Sequence, residues 1–146
     1  MKPPHARFLV QDEARVREIV ASMRRVAVLG IKTEAETGQP AYDVARYLAT
    51  HGVEIVPVPV YFPDVTEILG RPVYRKVADV PGEIDVVDVF RRPRDLPPHL
   101  DDLLAKRPRV VWLQSGIWHA EFAEALARAE IEVVQNRCLM VDLMRL

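Results

Sequence analysis

The chain contains a single cysteine, Cys138, in 146 residues, so it forms no intrachain disulfide and holds no cysteine-rich metal cluster. His-Glu-x-x-His and Glu-x-x-His spacings are absent, which removes the usual metal-hydrolase patterns. No apolar run approaches the ~20 residues that span a bilayer. The opening Met1-Lys2-Pro3-Pro4-His5 leads into no signal-peptide hydrophobic segment, so a cytoplasmic protein is expected. Basic excess is also missing. Twenty Lys and Arg against 21 Asp and Glu leave a net charge of −1, whereas a dedicated nucleic-acid binder carries a basic stripe. Glycine is scarce as well, at six residues. A dinucleotide fingerprint starting at Gly30 needs glycines at positions 32 and 35, where Lys32 and Ala35 stand. Gly-Lys-Ser and Gly-Lys-Thr do not occur, which argues against nucleoside triphosphate hydrolysis.

What is present reads as an α/β protein. The length suits a single core that needs no covalent staple. Five short apolar runs, most of them rich in β-branched residues, read as strands: Val26–Leu29, Val53–Val58, Ile84–Phe90, Val110–Leu113 and Ile131–Val134. Segments of helical spacing separate them at Ala41–His51, Leu96–Lys106 and His119–Ala129. Strands apolar on both faces, alternating with amphipathic helices, imply a five-stranded parallel sheet covered on both sides, a Rossmann-like doubly wound sandwich. A further helix is expected before the first strand, with Asp12 as its N-cap and Val16, Ile19, Val20 and Met23 on one face. Another closes the chain around Met140–Leu146. In the proline-crowded link between the second and third strands, Asp64–Leu69 is expected as a short helix ended by Gly70. The prolines are expected at loop positions. A sheet order of 3-2-1-4-5 places the switch point between the first and fourth strands.

On that geometry four loops at the carboxyl ends of strands face a ligand: Gly30–Gln39, Pro59–Asp64, Phe90–Arg94 and Gln114–Trp118. Gly30 makes the tight turn, and Pro40 stands at the first turn of the next helix, whose amino end favours phosphate. Lys32 and Thr33 offer a charge and a hydroxyl. Arg91, Arg92 and Arg94 can grip phosphate oxygens, or pair with Asp95, Asp101 or Asp102 as a solvated loop, with one of them turned outward. No carboxylate follows the second strand until Asp64, so a nicotinamide dinucleotide lacks its usual ribose acceptor. Ser115 and His119 have no third group to orient them, and His119 reads as an N-terminal helix residue. Asp85 and Asp88 point in opposite directions, with backbone N–H groups as their expected partners. Cys138 reads as a small apolar residue in a terminal turn. Trp112 reads as core, while Trp118 and Phe122 are contact candidates if exposed. No catalytic constellation emerges.

Several of these segments together resemble a known family. They are VAVLGIK with PAYDVARYL, then EILGRPVY, IDVVDVFRRP, VVWLQSGI and a late NRC. Over roughly residues 25–146 the chain resembles the stand-alone coenzyme A-binding proteins, which are similar to the N-terminal domain of succinyl-CoA synthetase α subunits. The resemblance implies a Rossmann-like domain over 25–146, preceded by an N-terminal helical extension at 1–24, and coenzyme A as cofactor. By the resemblance, Gly30, Ile31, Lys32 and Thr33 form the first phosphate loop, and Pro40 and Tyr42 open the helix beneath it. Val58 and Pro59 flank the adenosine; Val89, Phe90, Arg91 and Arg92 line the opposite side. Gln114 and Ile117 lie toward the pantetheine arm. One departure stands out. Where the family commonly has Asn-Pro and a basic residue, this chain has Pro59-Val60-Tyr61. The ligase chemistry of the synthetase uses a phosphorylated histidine on another domain and does not transfer. The partner implied is therefore a small molecule, with neither nucleic acid nor membrane. A homo-oligomer or protein partner is left open, as are a nicotinamide-type enzyme and an interaction module.

Overall fold

Side-chain alternation along short strands decides how this chain layers. The computed structural model describes residues Met1–Leu146. Its strands are β1 (Arg25–Leu29), β2 (Glu54–Val58), β3 (Glu67–Ile68), β4 (Arg71–Pro72), β5 (Val86–Val89), β6 (Val110–Leu113) and β7 (Glu132–Val134). Its α-helices are α1 (Glu13–Ser22), α2 (Pro40–Thr50), α3 (Leu100–Lys106), α4 (Ala120–Arg128) and α5 (Leu139–Met144). On β1, Val26 and Val28 face a core built with Val16, Ile19 and Val20 of α1, Val44 and Leu48 of α2, and Leu139 of α5. Ala27 and Leu29 face the other way, toward Leu103 of α3 and Phe122 and Leu126 of α4. The same alternation runs through β5 and β6. The result is the expected Rossmann-like three-layer sandwich with a five-stranded parallel sheet.

Strand order departs from expectation. It is β2-β1-β5-β6-β7, so the third long strand, β5, lies beside β1 rather than beyond β2. The link that leaves β2 crosses to the α3/α4 face, where Val77, Val80 and Ile84 enter the core. Asp102 of α3 pins it by accepting hydrogen bonds from the Val77 and Ala78 amides at 2.8 and 2.9 Å. The switch point therefore falls between β1 and β5, and it brings Gly30 against Phe90.

The same link contains a second correction. Residues 64–69 form no helix; β3 and β4 pair as an antiparallel hairpin instead. Leu69 and Gly70 both take positive φ, 54° and 72°, which suits a tight two-residue hairpin turn. Not every proline is in a loop. Pro57 lies inside β2, tolerated because β2 is an edge strand, and its carbonyl accepts from Tyr74 N–H at 3.0 Å. The other edge, β7, is covered by the N-terminal segment, where Val10 N–H donates to Val133 at 2.9 Å.

Helix starts follow the sequence closely. Asp12 caps α1 by accepting from Ala14 N–H, and Pro40 opens α2. The helix expected from Leu96 begins only at Leu100. Pro97 and Pro98 hold the preceding residues in short 3-10 turns.

Candidate functional site

A cavity of about 340 Å³ opens at the carboxyl ends of β1 and β5, where an α/β sheet offers a crevice. Gly30 forms its floor. The glycine has φ +88°, and a Cβ there would lie 2.3 Å from the Phe90 carbonyl oxygen and 3.3 Å from Arg91 Cδ. Glycine is therefore required twice, by conformation and by space. Its absent side chain lets the β1 loop and the β5 loop close on each other, with Phe90 N–H donating to Leu29 at 2.8 Å.

Three cations line this cavity, Lys32, Arg91 and Arg92, and no carboxylate does. Lys32 reaches from the first loop to donate to the side-chain oxygen of Gln39, next to the proline that opens α2. The positive end of α2 is thus joined by an ammonium on a flexible stem. Arg91 donates from Nε to His99 Nε2 at 3.1 Å and from Nη1 to the Tyr61 hydroxyl at 3.3 Å. The same guanidinium lies 5.5 Å from the Tyr61 ring centroid. Arg91 in turn holds the Tyr61 hydroxyl below the usual phenol range. Arg92 is exposed and pairs with Asp95 at 3.6 Å. Arg94 is exposed and outside the cavity, so one of the three loop arginines does turn outward.

The fourth loop completes the wall with Ser115, Gly116 and Ile117. Its position is set from the NRC segment. Asn136 accepts from Gly116 N–H at 2.7 Å, and the neighbouring Gln135 accepts from His119 N–H at 2.8 Å. His119 itself caps α4, its Nδ1 accepting from Phe122 N–H at 3.0 Å, as its place in the sequence suggests. Cys138 is half-buried as the N-cap residue of α5.

Of the residues expected at the site, the fold brings Gly30, Lys32, Pro40, Phe90, Arg91, Arg92 and Ile117 to the cavity wall. It places the side chains of Ile31, Tyr42, Val58, Pro59 and Val89 in the interior instead. Thr33 is occupied by a capping box with Glu36. Gln114 is buried and accepts from Leu139 N–H at 3.0 Å, tying α5 to the sheet. Asp85 meets the partners expected of it, the Arg24 and Arg25 amides at 2.9 and 2.8 Å. Asp88 does not. It is fully buried between Val28 and Trp112 in strand register, and neither carboxyl oxygen has a hydrogen-bond partner. Burial pushes its carboxyl well above the ordinary range. Trp112 is core, with its indole N–H donating to the Arg137 carbonyl at 2.8 Å; Phe122 is also core, whereas Trp118 is half exposed.

Tyr61, Gln39 and His99 are the contributors that the sequence did not single out. Tyr61 sits in a loop already marked as facing the cleft. His99 lies in a proline-bounded turn with no signal of its own.

A doubly wound sheet with a carboxylate-free, cationic crevice at its switch point defines a Rossmann-like domain. Residues 24–144 match the family described as a CoA binding domain, and the chain belongs to that family. This is the family that the sequence motifs resemble. A solved structure from Thermus thermophilus, described as cell-free ID.343, superposes with a TM-score of 0.83 at 39% identity. That match covers 92% of this chain and 98% of the other. The uncharacterized protein YneT of Bacillus subtilis (strain 168) is 29% identical over 130 residues, 89% of this chain and 93% of that protein. The dinucleotide-forming acetyl-coenzyme A synthetase 1 of Ca. Korarchaeum cryptofilum shares the fold at a TM-score of 0.64 and 18% identity. There the match covers 75% of this chain and 25% of the synthetase chain. No helix here is long and apolar enough to cross a membrane.

Proposed function

We propose that this chain binds coenzyme A or an acyl derivative in the β1/β5 crevice, and performs no chemistry of its own on it. The observation that carries the reading is the lining of the cavity. Lys32, Arg91 and Arg92 converge at the open amino end of α2 with no carboxylate among them. Such a lining suits a diphosphate and disfavours a free ribose diol, which normally meets an acid. Membership of a CoA binding domain family supports the same ligand. The binding unit is assigned to residues 25–146. Residues 1–24 form an extension whose α1 closes one face and whose Leu9–Val10 stretch covers β7. Pro40 has no N–H to offer, and the Tyr42 and Asp43 amides donate to the Gln39 carbonyl at 3.0 and 2.9 Å, so Ala41 N–H is the amide of this turn left to the phosphate. Tyr61 supplies a flat surface beside Arg91 for the base or ribose end. No nucleophile with an oriented base lines the cavity: Ser115 is its only hydroxyl other than the Tyr61 phenol, and no histidine or carboxylate lines it.

Calorimetric titration with coenzyme A, NAD, NADP and ATP tests this directly. Coenzyme A is expected to bind tightest, and a preference for NAD overturns the assignment. A parallel assay for thioester hydrolysis is expected to show no turnover above the uncatalysed rate.

A further inference from the structure

We propose that His99 is a positioning residue for the ligand site: it holds the Arg91 guanidinium in place only while its own imidazole is neutral. Ligand binding is thereby made sensitive to acid. The proposal rests on the reading of the β1/β5 cavity as an anion site. Its basis is geometric. Arg91 has no acceptor other than His99 and Tyr61, and Nη2 has no protein partner. The Nε bond at 3.1 Å fixes the plane of the guanidinium, and the Tyr61 bond fixes its tilt. The free edge at Nη2 belongs to a cavity-lining residue and remains available to a phosphate oxygen.

An Arg Nε–H donates and never accepts, so this bond requires His99 with a lone pair on Nε2 and its proton on Nδ1. Protonation of His99 puts two donors and two positive charges about 3 Å apart, and the guanidinium loses its anchor. The charged groups that face His99 are Arg91 and Asp95 from the loop after β5, and Asp102 from α3. The two carboxylates do not relieve the conflict by hydrogen bonding to the ring. Asp102 accepts from the Val77 and Ala78 amides, and Asp95 pairs with Arg92. Burial, reinforced by Arg91, accordingly holds the imidazole below its ordinary range, so the neutral, anchoring form prevails at neutral pH.

The test uses the full chain as parent, H99Q and H99A, each titrated with coenzyme A and with inorganic diphosphate from pH 8 to pH 5. The His99 ring is followed by NMR over the same range. Glutamine presents a carbonyl oxygen to Arg91 and does not titrate, so H99Q serves as the acid-insensitive rescue. Protonation of the ligand's own phosphates affects all three proteins alike and cancels in their ratios. At pH 8, parent and H99Q are expected to bind within about twofold of each other. H99A is expected to bind roughly tenfold or more weakly. On acidification the parent is expected to fall at least about tenfold relative to H99Q, with the midpoint of the His99 NMR titration.

Equal affinity of H99A and parent at pH 8 overturns the proposal. So does a parent-to-H99Q ratio that stays constant while His99 titrates, an affinity that rises on protonation, or an imidazole that stays neutral down to pH 5. A parent that binds diphosphate with the expected pattern but ignores coenzyme A upholds His99 and overturns the coenzyme A reading. A parent that binds neither probe overturns both.

Discussion

A Cβ on Gly30 would stand 2.3 Å from the carbonyl oxygen of Phe90, which makes the contact between these two residues the closest constraint on the site. Real side chains do not tolerate that approach, and φ +88° adds conformational strain for any residue with a Cβ. Gly30→Ala is therefore expected to destabilise the protein by roughly 2–4 kcal/mol, by pushing the β5 loop away from β1. Urea denaturation reads the loss. Coenzyme A affinity is expected to fall with it, because Phe90 and Arg91 move together. An alanine variant of parental stability contradicts the account of the crevice floor.

Arg91 and Arg92 make a different prediction, since neither holds the fold together. Each alanine variant is expected to lose about 10- to 150-fold in coenzyme A affinity, the loss of one charge-assisted contact. Melting temperature is expected to stay within error, because the 3.6 Å Arg92–Asp95 pair is exposed and weak. Binding by the parent is expected to weaken as salt rises, and less steeply in either variant. Comparing dephospho-coenzyme A with coenzyme A shows which phosphate each arginine reads.

Asp88 predicts a pH effect on stability with an unusual sign. Its folded form is held neutral, while in the unfolded chain it titrates near its ordinary value of 3.8. Above that pH the unfolded state releases a proton that the folded state keeps, so stability falls as pH rises. The slope is about 1.4 kcal/mol per pH unit until the folded carboxyl itself ionises. Asp88→Asn removes this term while preserving shape. Chemical denaturation at pH 4, 5.5 and 7 is expected to show the Asp88→Asn variant gaining on the parent as pH rises above 3.8, until the folded carboxyl ionises. A gap that does not change with pH rejects the assignment of a neutral buried acid.

Arg137 is the arginine of the NRC segment, and its role in the structure is architectural. It binds Asp142 at 2.6 and 2.9 Å and Glu13 at 2.7 and 3.1 Å, clamping α5 to α1. Both carboxylates raise its affinity for the proton, Asp142 more than Glu13. Arg137→Met leaves the nearly buried Asp142 without its partner. The expected cost is about 1–2 kcal/mol, moderated by the exposed Glu13 side of the cluster. Thermal denaturation measures it. Coenzyme A affinity is expected to change little, since Arg137 lies outside the cavity.

Much of the local structure was legible in the order of the residues, although residues 64–69 pair into a hairpin where a short helix was expected and α3 starts four residues late. Val26–Leu29 as a buried strand, Pro40 as a helix start, Asp12 and His119 as caps and the loops that face the cleft all follow from patterns a few residues long. The arginine cluster after β5 and the glycine after β1 could be read as phosphate-facing for the same reason. Packing in three dimensions was needed to establish that β5 pairs with β1, because strand order depends on where a 27-residue link crosses the sheet, not on any strand's composition. That pairing is what sets Phe90 on Gly30 and brings Arg91, Tyr61 and His99 together from three separate segments. It also buried Asp88 between Val28 and Trp112, where no loop amide reaches it. Contacts between residues far apart in the chain leave no periodic trace, so only packing reveals them.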